Sequence, residues 1–181
     1  MKRIALLALV LTGCAGNGDT DAQVDAAADV SPEASAVESP QEAGLSPTDV
    51  TFAEELAVDF ESMDLQESGL YIQVLQEGEG PQAAPGDRMG VHYTVWLSDG
   101  STLDSSFDHQ PPEPYGMVLG QTPLIDGWTE GVTGMRLGEK RRLVVPYQLG
   151  YGTSGRPPSV PGYSTLVFEV ELASHTPAAT E

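Results

Sequence analysis

The sequence predicts an α+β domain at residues 69–173, in which a curved antiparallel β-sheet packs on one short α-helix. From Gly69 onward, short runs of alternating apolar and polar residues are separated by turn residues, a pattern typical of antiparallel strands. Only the stretch at about 124–133 places its apolar residues at helical spacing. The single cysteine of the chain excludes an intramolecular disulfide framework and a cysteine-cluster metal site.

The charge of the chain is distributed unevenly. Its 27 acidic and 8 basic residues give a formal net charge of -19. Residues 15–64 hold 13 acidic residues and no basic ones, whereas residues 67–174 hold 13 acidic and 6 basic residues. Nucleic acid and an anionic bilayer surface would both be repelled by this balance, so neither is an expected partner.

The N-terminus resembles a bacterial lipoprotein signal. A basic pair precedes an apolar run at 4–11 that is too short to span a bilayer but suits a secretory signal. The run ends in Leu-Thr-Gly-Cys at 11–14, which resembles the lipobox, where a peptidase cuts before a cysteine that carries acyl chains. We predict a signal peptide at 1–13 and a lipid anchor at Cys14 on the periplasmic face of the cell envelope. Ala15, in place of an inner-membrane retention Asp, favours the outer membrane.

Residues 14–50 are predicted to form a disordered acidic linker. They are rich in Ala, Asp, Ser, Pro and Glu and contain no aromatic residue. Such a segment cannot bury enough apolar surface to offset the entropy lost on ordering. We interpret it as a solvated tether.

The N-terminal extension at 51–68 allows two interpretations. Thr51 and Glu54 have capping-box spacing, which favours a helix. Alternating apolar residues over 56–60 favour a strand instead. Of the two, we favour an extended segment that docks on the following domain.

The strands and the helix of the domain follow in chain order. The predicted strands lie at 70–74, 89–95, 142–146 and 165–172. Asp99-Gly100 is a strong hairpin-turn signal after the second strand. The predicted helix places Ile125, Trp128 and Val132 on one side.

The last two predicted strands each contain a distinct group of side chains. The apolar face of the final strand consists of Leu166, Phe168, Val170 and Leu172. The basic run Lys140-Arg141-Arg142 lies at the start of the preceding strand, and we interpret it as a solvated face.

The 17 residues of 147–163 form a predicted loop, and loops of this length are usually functional or disordered. Residues 174–181 are predicted to be a C-terminal tail.

Ordered blocks of sequence within the domain point to one enzyme family. These blocks are Val91-His92-Tyr93-Thr94, Leu103-Asp104-Ser105-Ser106, Ile125-Asp126-Gly127-Trp128, Tyr151-Gly152 and the strand at 165–172. Together they resemble the FKBP-type peptidyl-prolyl cis-trans isomerase family. The resemblance implies a half-barrel-like sheet wrapped around the helix, with an apolar pocket between the two. It also implies isomerisation of X–Pro bonds in proline-containing polypeptide clients, with macrolides as inhibitors and with no cofactor or metal.

The same resemblance implies a role for each site residue. The residues implied in catalysis are Tyr93, Asp104, Ile125, Trp128, Tyr151 and Phe168. Those implied in substrate binding are Leu103, Tyr115, Leu124 and Val160. Trp128 would form the floor of the pocket. The Ile125 N–H and the Tyr151 hydroxyl would donate to substrate carbonyls, and Asp104 would accept a hydrogen bond beside Tyr93.

Several positions depart from the family pattern. Leu103 stands where the family usually has Phe, and Arg156 and Val160 stand where His and Ile are common. Gly162 replaces a second proline. Leu103 and Arg156 support an alternative function, a non-catalytic proline-binding or chaperone-like module. A purely structural envelope lipoprotein would fit the linker but would leave the pocket motifs unexplained.

Overall fold

The computed structural model describes residues 46–179. Within that range the strands and the α-helix are β1 Asp64–Leu65, β2 Tyr71–Gln76, β3 Arg88–Leu97, β4 Thr102–Ser105, β5 Tyr115–Val118, α1 Asp126–Val132, β6 Lys140–Val145 and β7 Leu166–Thr176. Single 3₁₀ turns lie at Pro47–Asp49, Glu54–Leu56, Phe60–Ser62 and Tyr147–Leu149. The predicted signal peptide, Cys14 and most of the predicted linker lie outside the described residues. No helix within 46–179 is long and apolar enough to cross a bilayer.

The strands form one antiparallel sheet in the order β1-β2-β6-β7-β3-β4, and β5 pairs with the first half of β3. β3 pairs with three other strands. One edge of β3 pairs with β7 along its whole length, and the other edge pairs first with β5 and then with β4. This sheet with its single helix confirms the predicted α+β class. The helix is shorter than predicted. β4 follows the hairpin turn predicted at Asp99-Gly100, although no bounds were predicted for it, and β5 was not predicted.

The two faces of the sheet bury different residues. Leu143, Val145 and Phe168 point toward α1 and join the main core with Trp128 and Val132. The intervening residues Val144 and Val167 are fully buried on the opposite face. This separation follows from the two-residue period of a strand, which sends successive side chains to opposite faces.

Two glycines allow α1 to lie close to β6. A Cβ atom at Gly127 would lie 2.5 Å from Cγ1 of Val145, and one at Gly131 would overlap the side chain of Leu143. Both partner side chains are fully buried and cannot move away. The close approach sets how deeply the helix, and with it Trp128, sits in the concave side of the sheet.

The N-terminal extension forms neither the helix that its capping-box spacing allowed nor a strand over 56–60. Its 3₁₀ turns place Leu56 and Met63 against Val144 and Val167 on the outer face of the sheet, and its later part contains the two-residue strand β1. The Ala53 N–H donates to the carbonyl of Ser98 at 2.8 Å. The segment thus covers apolar surface that the helix does not reach.

The disordered linker predicted for 14–50 does not extend through its last residues. Pro47–Asp49 forms a 3₁₀ turn in which Pro47 is buried. The composition of the segment does not reveal this buried proline.

The solvated face predicted for Lys140-Arg141-Arg142 is wrong for both arginines. Their side chains are 13% exposed, whereas that of Lys140 is 44% exposed. Arg142 bonds Glu169 on β7 at 2.5 Å, and its guanidinium also donates to the carbonyl of Ala57 at 2.7 Å. The arginines therefore join the sheet to neighbouring segments, because each finds a carboxylate or carbonyl acceptor there.

The end of the chain is tied to the start of β3. β7 continues past Ala173 to Thr176, into the predicted tail, of which residues 180–181 lie outside the described range. His175 Nε2 lies 2.8 Å from Oδ2 of Asp87, and the Ala178 N–H donates to Oδ1 at 2.7 Å. The Ala84 N–H is a third donor to the same carboxylate.

We expect this carboxylate to make the fold acid-sensitive. The hydrogen bond with His175, followed by those from the Ala84 and Ala178 N–H groups, lowers the pKa of Asp87 from 3.8 to about 2. The stabilisation is therefore complete above pH 3.8 and is lost as the pH falls toward 2. Urea unfolding of the wild type and of Asp87→Asn across pH 2–6 should show that the difference between their free energies of unfolding becomes smaller in acid. A difference that stays constant down to pH 2 would contradict this assignment.

Candidate active site

A cavity of about 1020 Å³ lies between the concave face of the sheet, the start of α1 and the loop 147–163. β3, β4, β5 and β7 each contribute side chains to its wall, and the loop supplies the opposite side. The cavity is thus assembled from segments far apart in sequence.

The ten residues with implied site roles all line this one cavity. They are Tyr93, Leu103, Asp104, Tyr115, Leu124, Ile125, Trp128, Tyr151, Val160 and Phe168. Their placement is what the proposed roles require, and the roles themselves stay predictions until substrate binding or catalysis is measured.

The deepest wall is aromatic. Trp128 is 4% exposed, and its ring lies 6.5 Å from that of Tyr93 and 6.3 Å from that of Tyr115. The two tyrosine rings lie 6.4 Å apart, and all three pairs are nearly perpendicular. Edge-to-face contacts of this kind are favoured over stacked ones and hold the rings in fixed orientations. The result is a rigid apolar corner with the indole at its base.

The hydroxyl of Tyr93 is fixed by a carboxylate. It donates to Oδ2 of Asp104 at 2.5 Å, and Oδ1 of Asp104 accepts from the Ser105 N–H at 2.9 Å. Burial, followed by the hydrogen bond to Asp104, raises the pKa of the Tyr93 hydroxyl well above its usual 10.0. Tyr93 is therefore a neutral wall of the cavity at any physiological pH, and it does not act as a base.

Two hydrogen-bond donors on the cavity wall have no acceptor among residues 46–179. The N–H of Ile125 precedes the first turn of α1, and only the carbonyl of that residue is engaged by the helix, through Trp128 and Thr129. The hydroxyl of Tyr151 likewise has no hydrogen-bond partner in that range. Both donors are therefore available to carbonyl oxygens of a bound peptide.

The loop 147–163 is held in place by its own backbone. The Gly155 N–H donates to the carbonyl of Tyr151, and Arg156 and Val160 exchange two hydrogen bonds of 2.8 and 3.0 Å. Gly155 has φ +64°, and a Cβ there would overlap the carbonyl of Val160, so only glycine fits. Because Val160 is 4% exposed and packs in the core, the loop forms a fixed side of the cavity.

Sequence reasoning assigned no role to part of the lining. The further lining residues without an assigned role are Val95, Pro123, Asp126, Gly150, Arg156, Pro157, Pro158 and Ser159. Val95 could have been found, since it stands two residues after Tyr93 on the same face of β3. The proline and serine residues carry no such signal, because their positions depend on the path of the loops.

A smaller cavity of about 250 Å³ shares the Tyr93–Tyr115 wall. Ser106, His109 and Glu113 line its other side. Within the described part of the chain, no group of three or more His, Cys, Asp or Glu side chains could hold a metal ion.

Comparison with known proteins gives one consistent result. Residues 80–173 match the family model described as FKBP-type peptidyl-prolyl cis-trans isomerase. The chain is similar to the FK506-binding protein of Neisseria meningitidis serogroup B, with 46% identity over 104 residues, which are 58% of this chain and 94% of that protein. It is also similar to the peptidyl-prolyl cis-trans isomerase FKBP2 of Homo sapiens, with 51% identity over 87 residues, 48% of this chain and 60% of that protein.

Two solved structures share the fold. One is the crystal structure of FkpA from Escherichia coli, with a TM-score of 0.60 and 36% identity, covering 70% of this chain and 56% of that one. The other is a peptidyl-prolyl cis-trans isomerase from Pseudomonas syringae, with a TM-score of 0.57 and 30% identity, covering 64% of this chain and 82% of that one.

Proposed function

The chain belongs to the FKBP-type peptidyl-prolyl cis-trans isomerase family, and from this membership we propose that its 1020 Å³ cavity catalyses rotation about X–Pro bonds in polypeptide clients at the cell envelope. Membership confirms the enzyme class expected from the ordered sequence blocks. The observation that carries the proposal is that all ten residues with implied roles line one cavity beside the Trp128 indole.

Removal of water is the proposed source of catalysis. Amide resonance gives a rotation barrier of about 18–20 kcal/mol, and X–Pro bonds exchange over tens to hundreds of seconds. The planar amide is more dipolar than the twisted amide, so water stabilises the planar form more strongly. An apolar corner built from Trp128, Tyr93 and Tyr115 therefore favours the twisted state. Each 1.4 kcal/mol of such selectivity is worth about tenfold in rate.

The two unpartnered donors would orient the peptide in this corner. A substrate carbonyl bonded to the Ile125 N–H and another bonded to the Tyr151 hydroxyl would fix the backbone on both sides of the prolyl ring. No nucleophile or proton transfer is needed, because rotation breaks no covalent bond. This role for the donors is consistent with a Tyr93 hydroxyl that stays neutral and engaged with Asp104.

A protease-free assay of cis-to-trans relaxation in an X–Pro peptide tests the function. We expect the purified wild type to accelerate relaxation well above the solvent rate. Tyr151→Phe should lower kcat/KM by about two- to tenfold, which corresponds to the loss of one hydrogen bond of about 0.5–1.5 kcal/mol. Tyr147→Phe is the matched control, because Tyr147 packs on Tyr163 outside the cavity. A folded wild type that binds the peptide without accelerating relaxation would instead indicate a non-catalytic proline-binding module.

The proposed ligands of the cavity include macrolides. Relatives of this chain carry the name FK506-binding protein. We propose that such compounds occupy the space beside Trp128 and compete with proline-containing clients. Leu103, in place of the usual Phe, removes one ring from the opening of that space.

We further propose that the enzyme works from a lipid anchor on the periplasmic face of the envelope, at the outer membrane. The lipobox at 11–14 and the acidic linker support this location. Several acyl chains on Cys14 would hold the protein stably, since one chain alone gives only marginal binding. We expect Cys14→Ser to abolish labelling with a radioactive fatty acid in cells. Labelling that survives the substitution would refute the anchor.

A further inference from the structure

Arg156 is the one basic residue among those that line the cavity. The lining also contains two acidic residues, Asp104 and Asp126. The Asp104 carboxylate is already engaged by the Tyr93 hydroxyl and the Ser105 N–H. The cavity therefore presents a single cation from the loop side, in a chain with a net charge of -19.

The backbone of Arg156 is held at the cavity. Its N–H and carbonyl both bond Val160, which is anchored in the core. The guanidinium carbon lies 6.0 Å from the centre of the Tyr151 ring, at the outer limit of a cation–π contact. The charge thus stands beside the ring whose hydroxyl is proposed to hold a substrate carbonyl.

The guanidinium of Arg156 has no carboxylate partner within residues 46–179. Lys140, Arg141 and Arg142 differ in this respect, because each pairs with a glutamate. A guanidinium offers five N–H donors in a planar fork that matches a carboxylate. An unpaired guanidinium at the mouth of a peptide-binding cavity is therefore suited to an acidic side chain of the client.

We propose that Arg156 is a specificity-determining residue that selects clients with Asp or Glu next to the isomerised proline. The proposal rests on the isomerase function proposed above and names the client chemistry of the same cavity. Arg156 is exposed, so the pair with a client carboxylate remains partly solvated. We therefore expect a preference of about two- to fivefold, the range of exposed ion pairs.

Matched peptides test this selection in a double-mutant cycle. One series carries Glu or Gln before the proline, and a second series carries them after it. The kcat/KM ratio of Glu to Gln peptide is measured for the wild type and for Arg156→Gln. Dividing the two ratios cancels the general repulsion between an acidic protein and an acidic peptide. In the peptide series whose carboxylate lies beside Arg156, we expect the wild-type ratio divided by the Arg156→Gln ratio to be about two to five. This quotient should fall toward one in about 0.5 M salt.

Three further variants sharpen the test. Arg88→Gln removes the same charge from an exposed site that does not line the cavity, and it should leave the ratio unchanged. Arg156→Lys should retain part of the preference, and Arg156→Glu should reverse it. Acceleration of both peptides with a quotient of one in both series would overturn the role of Arg156 alone. Failure to accelerate any peptide would overturn the isomerase function on which it rests.

Discussion

Trp128→Ala is expected to lower kcat/KM by on the order of 50- to 100-fold. Contact between a prolyl ring and the indole removes roughly 100 Å² of apolar surface from water, worth about 2.5 kcal/mol at 25 cal/mol per Å². A loss of that size corresponds to nearly two powers of ten in rate. The cavity left by the indole would also admit water to the amide, which favours the planar state. The protease-free assay with saturation kinetics measures the change directly.

Stability must be separated from catalysis in this experiment. Trp128 is 4% exposed, and truncating a buried tryptophan costs about 3–5 kcal/mol. Met135→Ala is the matched control, since Met135 is fully buried in the same core but does not line the cavity. It should lose about 2–5 kcal/mol of unfolding free energy and retain its activity per folded molecule. Equal activity losses in the two variants would show that Trp128 acts only through the fold.

The site residues were assigned through the resemblance, and periodicity supports that assignment for those on the predicted strands and at the start of the helix. Tyr93 and Phe168 lie on strands, where the two-residue period decides which face a side chain takes. Ile125 and Trp128 lie at the first turn of α1, where helical spacing does the same. Ordered motifs then supplied the roles that periodicity alone could not.

The path of the loops could not be predicted in this way. Arg156 reaches the cavity because its backbone pairs with Val160, and Tyr163 donates its N–H to the carbonyl of Gly152. These contacts join residues within an irregular segment whose sequence has no period. The N-terminal extension was ambiguous for a related reason, since its 3₁₀ turns are fixed by the apolar outer face around Val144 and Val167.

The basic run on β6 shows how tertiary partners override composition. Arg141 looks like a surface residue beside Lys140 and Arg142, yet its Nε lies 2.6 Å from Oε1 of Glu139. Its guanidinium also donates to the carbonyls of Gly131 and Thr133 at 2.9 and 3.1 Å. These carbonyls lie at the C-terminal end of α1, where a helix leaves carbonyl groups without partners. Arg141 thus connects β6 to the helix that carries Trp128.

Arg141→Met is therefore expected to lower the free energy of unfolding by about 3–5 kcal/mol, the usual cost of removing one partner from a buried ion pair. Glu139 is 3% exposed and would keep only the N–H of Arg136 as a donor. Lys140→Met is the neighbouring control. The Lys140–Glu171 pair is 3.1 Å long but largely solvated, so its loss should cost no more than about 1 kcal/mol. Urea unfolding of the two variants at neutral pH provides the comparison.

A second substitution distinguishes loss of the ion pair from loss of packing. In Glu139→Gln/Arg141→Met the buried charge is gone, while the glutamine carbonyl can still accept from the Arg136 N–H. If the stranded carboxylate causes most of the loss, the double variant should be more stable than Arg141→Met alone. If the bonds to the helix carbonyls dominate, the second substitution should recover nothing, and the stability of α1 would depend on Arg141 as a cap and not as a counter-ion. Either result locates the interaction that holds the helix, and hence the indole, against the sheet.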